Sequence, residues 1–123
     1  MEPPLWHPTT LWGTCDITTT GRKSGLPRRI EIWYFVVDGT VYLTGTPGQR
    51  DWYANLLSRS KFIFHVKEGA LLDLTARALP IIDLSERRRI IAAIMHSSNW
   101  FHGQSYDLEA WVVGSPLIAV QFG

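Results

Sequence analysis

Two tight-turn signals fix the architecture open to this chain. Asp38-Gly39 sits between the apolar run Arg28–Val37 and the shorter run Thr40–Thr44, and Glu68-Gly69 sits between Lys61–Val66 and Leu71–Leu79. Asp-Gly between alternating runs marks a two-residue hairpin, because both residues tolerate the positive φ that a right-twisted turn demands. Strands joined this way pair antiparallel, and the repeated helical crossovers of a parallel sheet do not appear. Within Arg28–Val37, Ile30, Ile32, Tyr34 and Val36 share one face, and Glu31, Trp33, Phe35 and Val37 share the other. A strand that is largely apolar on both faces belongs at the centre of a sheet.

Cys15–Thr20 and Leu117–Phe122 read as further strands. The break Gly45-Thr46-Pro47-Gly48 leads into a short helix over Arg50–Leu57. Asp83 or Ser85 caps a helix from about Glu86 to His96, with Leu84, Ile91, Ile94 and Met95 as its apolar stripe. The charged start Asp83–Arg89 reads as an exposed helix face, Ser98–Asp107 as an aromatic-rich loop, and Leu108–Val113 fits helix and strand equally. Five or six antiparallel strands with helical inserts predict a mainly β (α+β) fold closed into a small barrel, since closure removes sticky edges. An α+β sandwich is the alternative.

With 123 residues, 46% hydrophobic and 19% charged, the chain is expected to be one ordered domain over 1–123. A net charge of +1 disfavours nucleic acid as a partner, because duplex binding needs many phosphate contacts. A lone cysteine, Cys15, cannot form an internal disulfide, which suits a reducing, cytoplasmic compartment. No apolar stretch approaches the ~20 residues of a membrane span, and Met1–His7 lacks a signal-peptide layout. Six tryptophans belong in a core or a pocket wall.

The chemistry concentrates in Thr18-Thr19-Thr20-Gly21-Arg22-Lys23-Ser24-Gly25-Leu26-Pro27-Arg28-Arg29. A β-branched run stops at a glycine, and four cations, a hydroxyl and several backbone N–H groups then gather at a strand junction. Such a turn can cradle a phosphate or carboxylate; a solvated hairpin with incidental charges is the alternative. The second segment is Gly48-Gln49-Arg50-Asp51-Trp52-Tyr53-Ala54-Asn55-Leu56. It opens a helix, whose exposed N–H groups favour anions. Trp52 and Asn55, three apart, share a face that can wall a heteroaromatic ligand. Alternatively, Trp52 and Leu56 anchor the helix while Asn55 faces solvent.

Other candidates read as structure. His7, His65, His96 and His102 have no metal-ligand spacing with Cys15 or with carboxylates, so no metal is expected. His65 reads as a packed or hydrogen-bonded strand residue and Cys15 as a buried small hydrophobe. No Gly-x-Ser-x-Gly and no P-loop is present.

Taken together, Thr-Thr-Gly-Arg-Lys-Ser-Gly, Ile32-Trp33-Tyr34, Asp38-Gly39, Trp52-Tyr53-Ala54-Asn55-Leu56 and Leu72-Asp73-Leu74-Thr75-Ala76-Arg77 resemble the deazaflavin-dependent nitroreductase family, a branch of the FMN-binding split β-barrel superfamily. The resemblance runs from about Ile17 to Val120. It implies a split β-barrel of about six antiparallel strands with two or three helices. It implies as ligand coenzyme F420, a deazaflavin with a phosphate and an oligoglutamate tail; FMN is the alternative, because FMN binders share this barrel. By this resemblance Arg22, Lys23 and Ser24 form the anion-binding turn, and Arg28 or Arg29 is the arginine after its proline. Trp52 and Asn55 line the cofactor from the helix, with Thr46 and Arg50 in the preceding loop. Pro47 stands where some members place a lysine, and Arg50 is the nearby cation that would compensate. The amino-terminal extension, about a dozen residues, is shorter than in members with a membrane-associating or lid-like helix.

Where no side chain is an obvious nucleophile, triad or metal ligand, a bound cofactor must do the chemistry. The expected function is hydride transfer from reduced F420 to a small planar acceptor such as a quinone or nitroaromatic. Tyr34, Trp100 and Phe101 are expected to wall the acceptor pocket. Tyr106 is the candidate proton donor, since a phenol with a pKa of ~10 stays protonated at neutral pH. A non-catalytic flavin or deazaflavin carrier is the alternative. A homodimer with no integral membrane contact is expected, because a small barrel has few ways to cover six tryptophans.

Overall fold

The computed structural model describes residues 6–98 and 107–123. Strands β1 (Trp12–Thr20), β2 (Pro27–Val37), β3 (Thr40–Thr44), β4 (Lys61–Val66), β5 (Leu72–Pro80) and β6 (Leu117–Phe122) close in the order β1-β2-β3-β6-β5-β4. Every pairing is antiparallel. Helix α1 (Asp51–Ser58) joins β3 to β4, while α2 (Leu84–Ser97) and α3 (Leu108–Gly114) lie between β5 and β6. The barrel expected from the turns is the observed fold, and the sandwich is excluded. Asp38 and Gly39 take φ of 50° and 77°, the doubly positive turn that Asp-Gly encodes.

Alternation explains why β2 is apolar on both faces. Ile32 and Tyr34 point into the barrel with Cys15, Ile17, Leu43 and Phe64, and Trp6 packs against Tyr34, Phe64 and Phe122. Phe35 and Val37 point outward, where Ile90, Ile91, Ile94 and Met95 of α2 cover them. Cys15 is fully buried in this core, and burial pushes its thiol up to about 12, the behaviour of a small hydrophobe.

Two expectations for α2 need correction. Leu84 is exposed, in a surface groove with Ile82 and Val113, and Ile90 takes the core position instead. Nor is the whole of Asp83–Arg89 an exposed charged face. Arg88 pairs with Glu109, and Arg89 with Asp38 and Glu86, but Arg87 is buried. Its guanidinium donates to the carbonyls of Val112 (2.6 Å), Ile81 (2.8 Å) and Ser115. Those acceptors include carbonyls at the end of α3 that have no partner within a helix. Asp107 caps the other end, its carboxylate accepting from the Glu109 N–H at 3.0 Å. Leu108–Gly114 is helical because both its ends are satisfied by side chains.

The barrel is split along one side of β2. β1 follows β2 from Pro27 to Phe35, but β3 pairs with it only from Tyr34 to Val37. Among the described residues, Pro27–Ile32 therefore has no ladder partner on the β3 side, and α1 and the loop before it lie across the gap.

Arg87→Met should lower stability by about 3 kcal/mol or more, since it leaves three carbonyls without their donor, two of them buried, at roughly 1–3 kcal/mol each. Urea unfolding checks this; a loss below about 1 kcal/mol would mean water replaces the guanidinium.

Candidate functional site

The cationic turn is built by local bonds. The Gly21 N–H donates to the Leu26 carbonyl at 2.8 Å, the Gly25 N–H donates to the Gly21 carbonyl at 2.8 Å, and the Leu26 N–H donates to the Ser24 hydroxyl at 3.1 Å. Gly25 sits at φ +71°, where a β-carbon is disfavoured, and this lets the chain reverse into β2. Among the described residues, the N–H groups of Lys23 and Ser24 have no protein acceptor, which leaves them free for an anion.

Asn55 fastens this turn to α1. Its buried amide oxygen accepts from the Arg22 backbone N–H at 3.0 Å and from the Arg22 guanidinium at 3.1 Å. Its amide NH2 donates to the Thr19 hydroxyl at 3.2 Å. Asn55 therefore does not face solvent: it sets the position of the turn. Trp52 and Leu56 on the same face pack into the barrel core, so Trp52 is both anchor and cleft wall.

Two cavities meet at Ile30 and Trp52, which line both. One, of about 330 Å³, is polar, with Arg22, Lys23, Ser24 and Arg28 around it and Asn55 at its base. The other, of about 510 Å³, is largely apolar, with Ile32, Trp33, Phe35, Thr44, Gly45 and Arg50 around it. It occupies the split beside the unpaired edge of β2. The result is one cleft with a cationic end and an apolar end.

The expected site residues divide accordingly. Arg22, Lys23, Ser24, Arg28, Arg50, Trp52 and Asn55 come together on the cleft. Arg29 does not: on the face of β2 opposite Arg28, it is held by Asp16. Its guanidinium donates to Asp16 at 3.0 Å, beside Lys67, which bonds both Asp16 and Glu31. The Lys67 ammonium and then Arg29 hold the Asp16 carboxyl below its usual range. Thr46 serves indirectly: its hydroxyl and carbonyl accept from the Arg50 guanidinium at 2.5 and 3.1 Å, which also donates to the Gln49 carbonyl at 3.0 Å. Tyr34 lies in the barrel core against Trp6 and Phe64, not in the cleft. Trp100, Phe101 and Tyr106 lie outside the described residues.

Sequence reading missed the apolar wall of Ile30, Trp33, Phe35, Thr44 and Gly45. One signal was available: an 11-residue strand joined by a two-residue turn to a 5-residue partner must leave half its edge open.

The residues present fit a cofactor with an anionic end and a flat ring. Lys23 and Arg28 have no acidic partner among the described residues, and cations left unpaired at a cavity are available to a ligand anion. Beside them, the apolar cavity offers the indoles of Trp33 and Trp52 and the side chains of Ile30 and Ile32, with Glu31 and Arg50 as its charged lining residues.

Asn55→Leu keeps the size but removes all three bonds. It should cost about 2–3 kcal/mol of stability and weaken anion binding at the turn. Thermal unfolding and ligand titration of the same sample check both; unchanged anion affinity would show that the turn holds itself.

The comparisons with known proteins bear on the fold and on the family. Among solved structures, the fold is similar to a NimC/NimA family protein from Clostridium acetobutylicum, with a TM-score of 0.64, 14% identity, and 89% of this chain and 73% of that chain covered. It is similar to an F420 reductase with a TM-score of 0.58 and 14% identity, covering 89% and 86% of the two chains. A structure of an F420-H2-dependent reductase superposes with a TM-score of 0.54 and 18% identity, covering 88% and 93%. At these identities the likeness shows a shared fold. The family model described as F420H(2)-dependent quinone reductase matches residues 9–109, most of the sequence and both segments that build the cleft. The chain belongs to the F420H2-dependent quinone reductase family, as an oxidoreductase that depends on coenzyme F420.

Proposed function

We propose that the cleft holds coenzyme F420 with its anionic groups at the turn and its ring system in the apolar cavity, for reduction of a planar, electron-poor acceptor such as a quinone or nitroaromatic. The observation that carries this reading is the joining of the two cavities at Ile30 and Trp52. Reduced F420 supplies the hydride when bound. The chain's own residues bind, orient and exclude water. Lys23 and Arg28 attract the anionic end, Ser24 and the free turn amides add directed donors, and Asn55 keeps that turn in register with α1. Ile30, Ile32 and Trp52 dry the ring's surroundings. Arg50, held by Thr46, closes the far side of the cavity. Tyr106 is our candidate for donating a proton to the reduced acceptor, on the acidity of its phenol alone.

The test uses the two cations that have no internal partner. Lys23→Ala with Arg28→Ala should weaken F420 binding at least about tenfold, since charge-assisted bonds contribute ~1.5–3 kcal/mol each, and should leave the melting temperature unchanged. Arg22 is the wrong probe, because its guanidinium bonds Asn55 and Asp51. Fluorescence titration reads affinity, with FMN as the competing ligand; tight FMN binding with no F420 response would overturn the reading. Wild-type protein with reduced F420 and menadione should reoxidise the cofactor faster than the enzyme-free mixture, and Tyr106→Phe should slow turnover without changing affinity. Turnover no faster than the blank would favour a carrier.

We also propose a homodimer formed by one cofactor-binding domain per chain, in the cytoplasm. Among the described residues no helix is long and apolar enough to cross a membrane. A structure similar in fold is described as a domain-swapped dimer, at 20% identity. Exposed Ile82, Leu84 and Val113 border one groove and give a second copy apolar surface to cover. Sedimentation at micromolar concentration should give the mass of a dimer; a clean monomer would overturn it.

A further inference from the structure

We propose that Thr18, His65 and Asp73 form a second reactive site, on the outer face of the barrel, at which Thr18 takes acyl groups from carboxylic esters. The three residues stand on the adjacent strands β1, β4 and β5, and alternation turns them outward while Ile17, Thr19, Phe64 and Val66 turn inward. His65 Nδ1 lies 2.7 Å from Asp73 Oδ1, and His65 Nε2 lies 2.7 Å from Thr18 Oγ1.

The proton positions follow from the donor chemistry. An ionised carboxylate can only accept, so in the neutral imidazole Nδ1 carries the hydrogen and donates it to Asp73. Nε2 is then a bare lone pair and accepts from the Thr18 hydroxyl. Hydroxyl, imidazole and carboxylate stand in the order that activates an acyl-transfer nucleophile. The ring is buried, so its orientation is fixed by packing as well as by its two bonds.

Thr18 also lines a groove of about 570 Å³ with Lys61, Ile63, Thr75 and Arg77. Lys61 and Arg77 are direct cross-strand partners, an arrangement that is unfavourable for like charges. Neither has an acidic partner among the described residues. Two unpaired cations beside a hydroxyl suit an ester whose acyl part carries a carboxylate or phosphate. They also stabilise negative charge that builds on an attacked carbonyl oxygen. This site is separate from the cleft, which Thr18 does not line.

In the step itself, Thr18 Oγ forms a bond to the ester carbonyl carbon while its proton passes to His65 Nε2. The bond to the leaving oxygen breaks, and that oxygen departs with the bonding pair, taking the proton from His65 or leaving it to solvent. Water then attacks the acyl-threonine, gives a proton through His65 to Thr18 Oγ, and releases the carboxylic acid. No redox partner is required.

The experiment incubates the full chain with 4-nitrophenyl acetate and with mono-4-nitrophenyl glutarate, following nitrophenolate release and mapping the acylated peptide by mass. We expect release about a hundredfold above buffer, faster with the glutarate, and the acyl mass on Thr18. Thr18→Val and His65→Gln should return release to the buffer rate, and Thr18→Ser should keep it. Asp73→Asn, acting through His65, should shift the pH–rate profile. F420 binding should be unchanged in Thr18→Val. Release at the buffer rate, or an adduct only on other residues of the wild-type protein, overturns the proposal. The mapping decides the question even where a variant does not fold.

Discussion

The cleft exists because β2 has partners of unequal length. β1 holds it from Pro27 to Phe35, while β3 reaches it only from Tyr34 onward. An open strand edge is ordinarily an aggregation hazard. Here α1 and the loop around Gly45 and Arg50 stand opposite the edge, and the space between becomes the apolar cavity. The same strand then carries Arg28 at one end of the cleft and Ile30 and Ile32 along its floor. One strand thus supplies both the charged and the dry part of the site. Its outward residues Phe35 and Val37, under α2, keep it fixed to the rest of the barrel.

Two buried polar side chains set the irregular segments around that frame. Asn55 ties the cationic turn to α1 through Arg22 and Thr19. Arg87 gathers carbonyls from the β5–α2 connection and from the end of α3. In both cases buried groups would otherwise be left without partners, which costs more than a typical net hydrogen bond contributes. The exposed ion pairs, Arg88 with Glu109 and Arg89 with Glu86, are screened by solvent and contribute little. Removing Asn55 or Arg87 therefore disturbs the site or its supports far more than removing a surface pair.

Much of this was legible in the sequence, for reasons that can be named. Hairpin turns and alternation are local, so Thr40–Thr44, Lys61–Val66 and Leu117–Phe122 match the observed strands residue for residue. The cationic turn is also local, with two glycines and a serine that close it on itself. Less legible was anything set by a distant partner. Leu108–Gly114 has a run of Trp, Val and Val that suits a strand, and it is a helix because Asp107 and Arg87 satisfy its ends. Leu84 belongs by period to the stripe of α2, yet it lies in the first turn, in a groove away from the core.

The sequence by itself determined that the chain is antiparallel and that it presents a cationic turn, because each of these depends on residues near one another in the chain. Only the tertiary structure decided which cations serve the cleft. Arg28 and Arg29 are neighbours of identical chemistry, but one faces the cleft and the other is held by Asp16 on the far face. Tyr34 and Trp33 also divide, with the faces exchanged, Tyr34 into the core and Trp33 onto the cleft wall. A pleated strand sends adjacent side chains to opposite faces, and which face becomes a site depends on what the rest of the fold leaves uncovered.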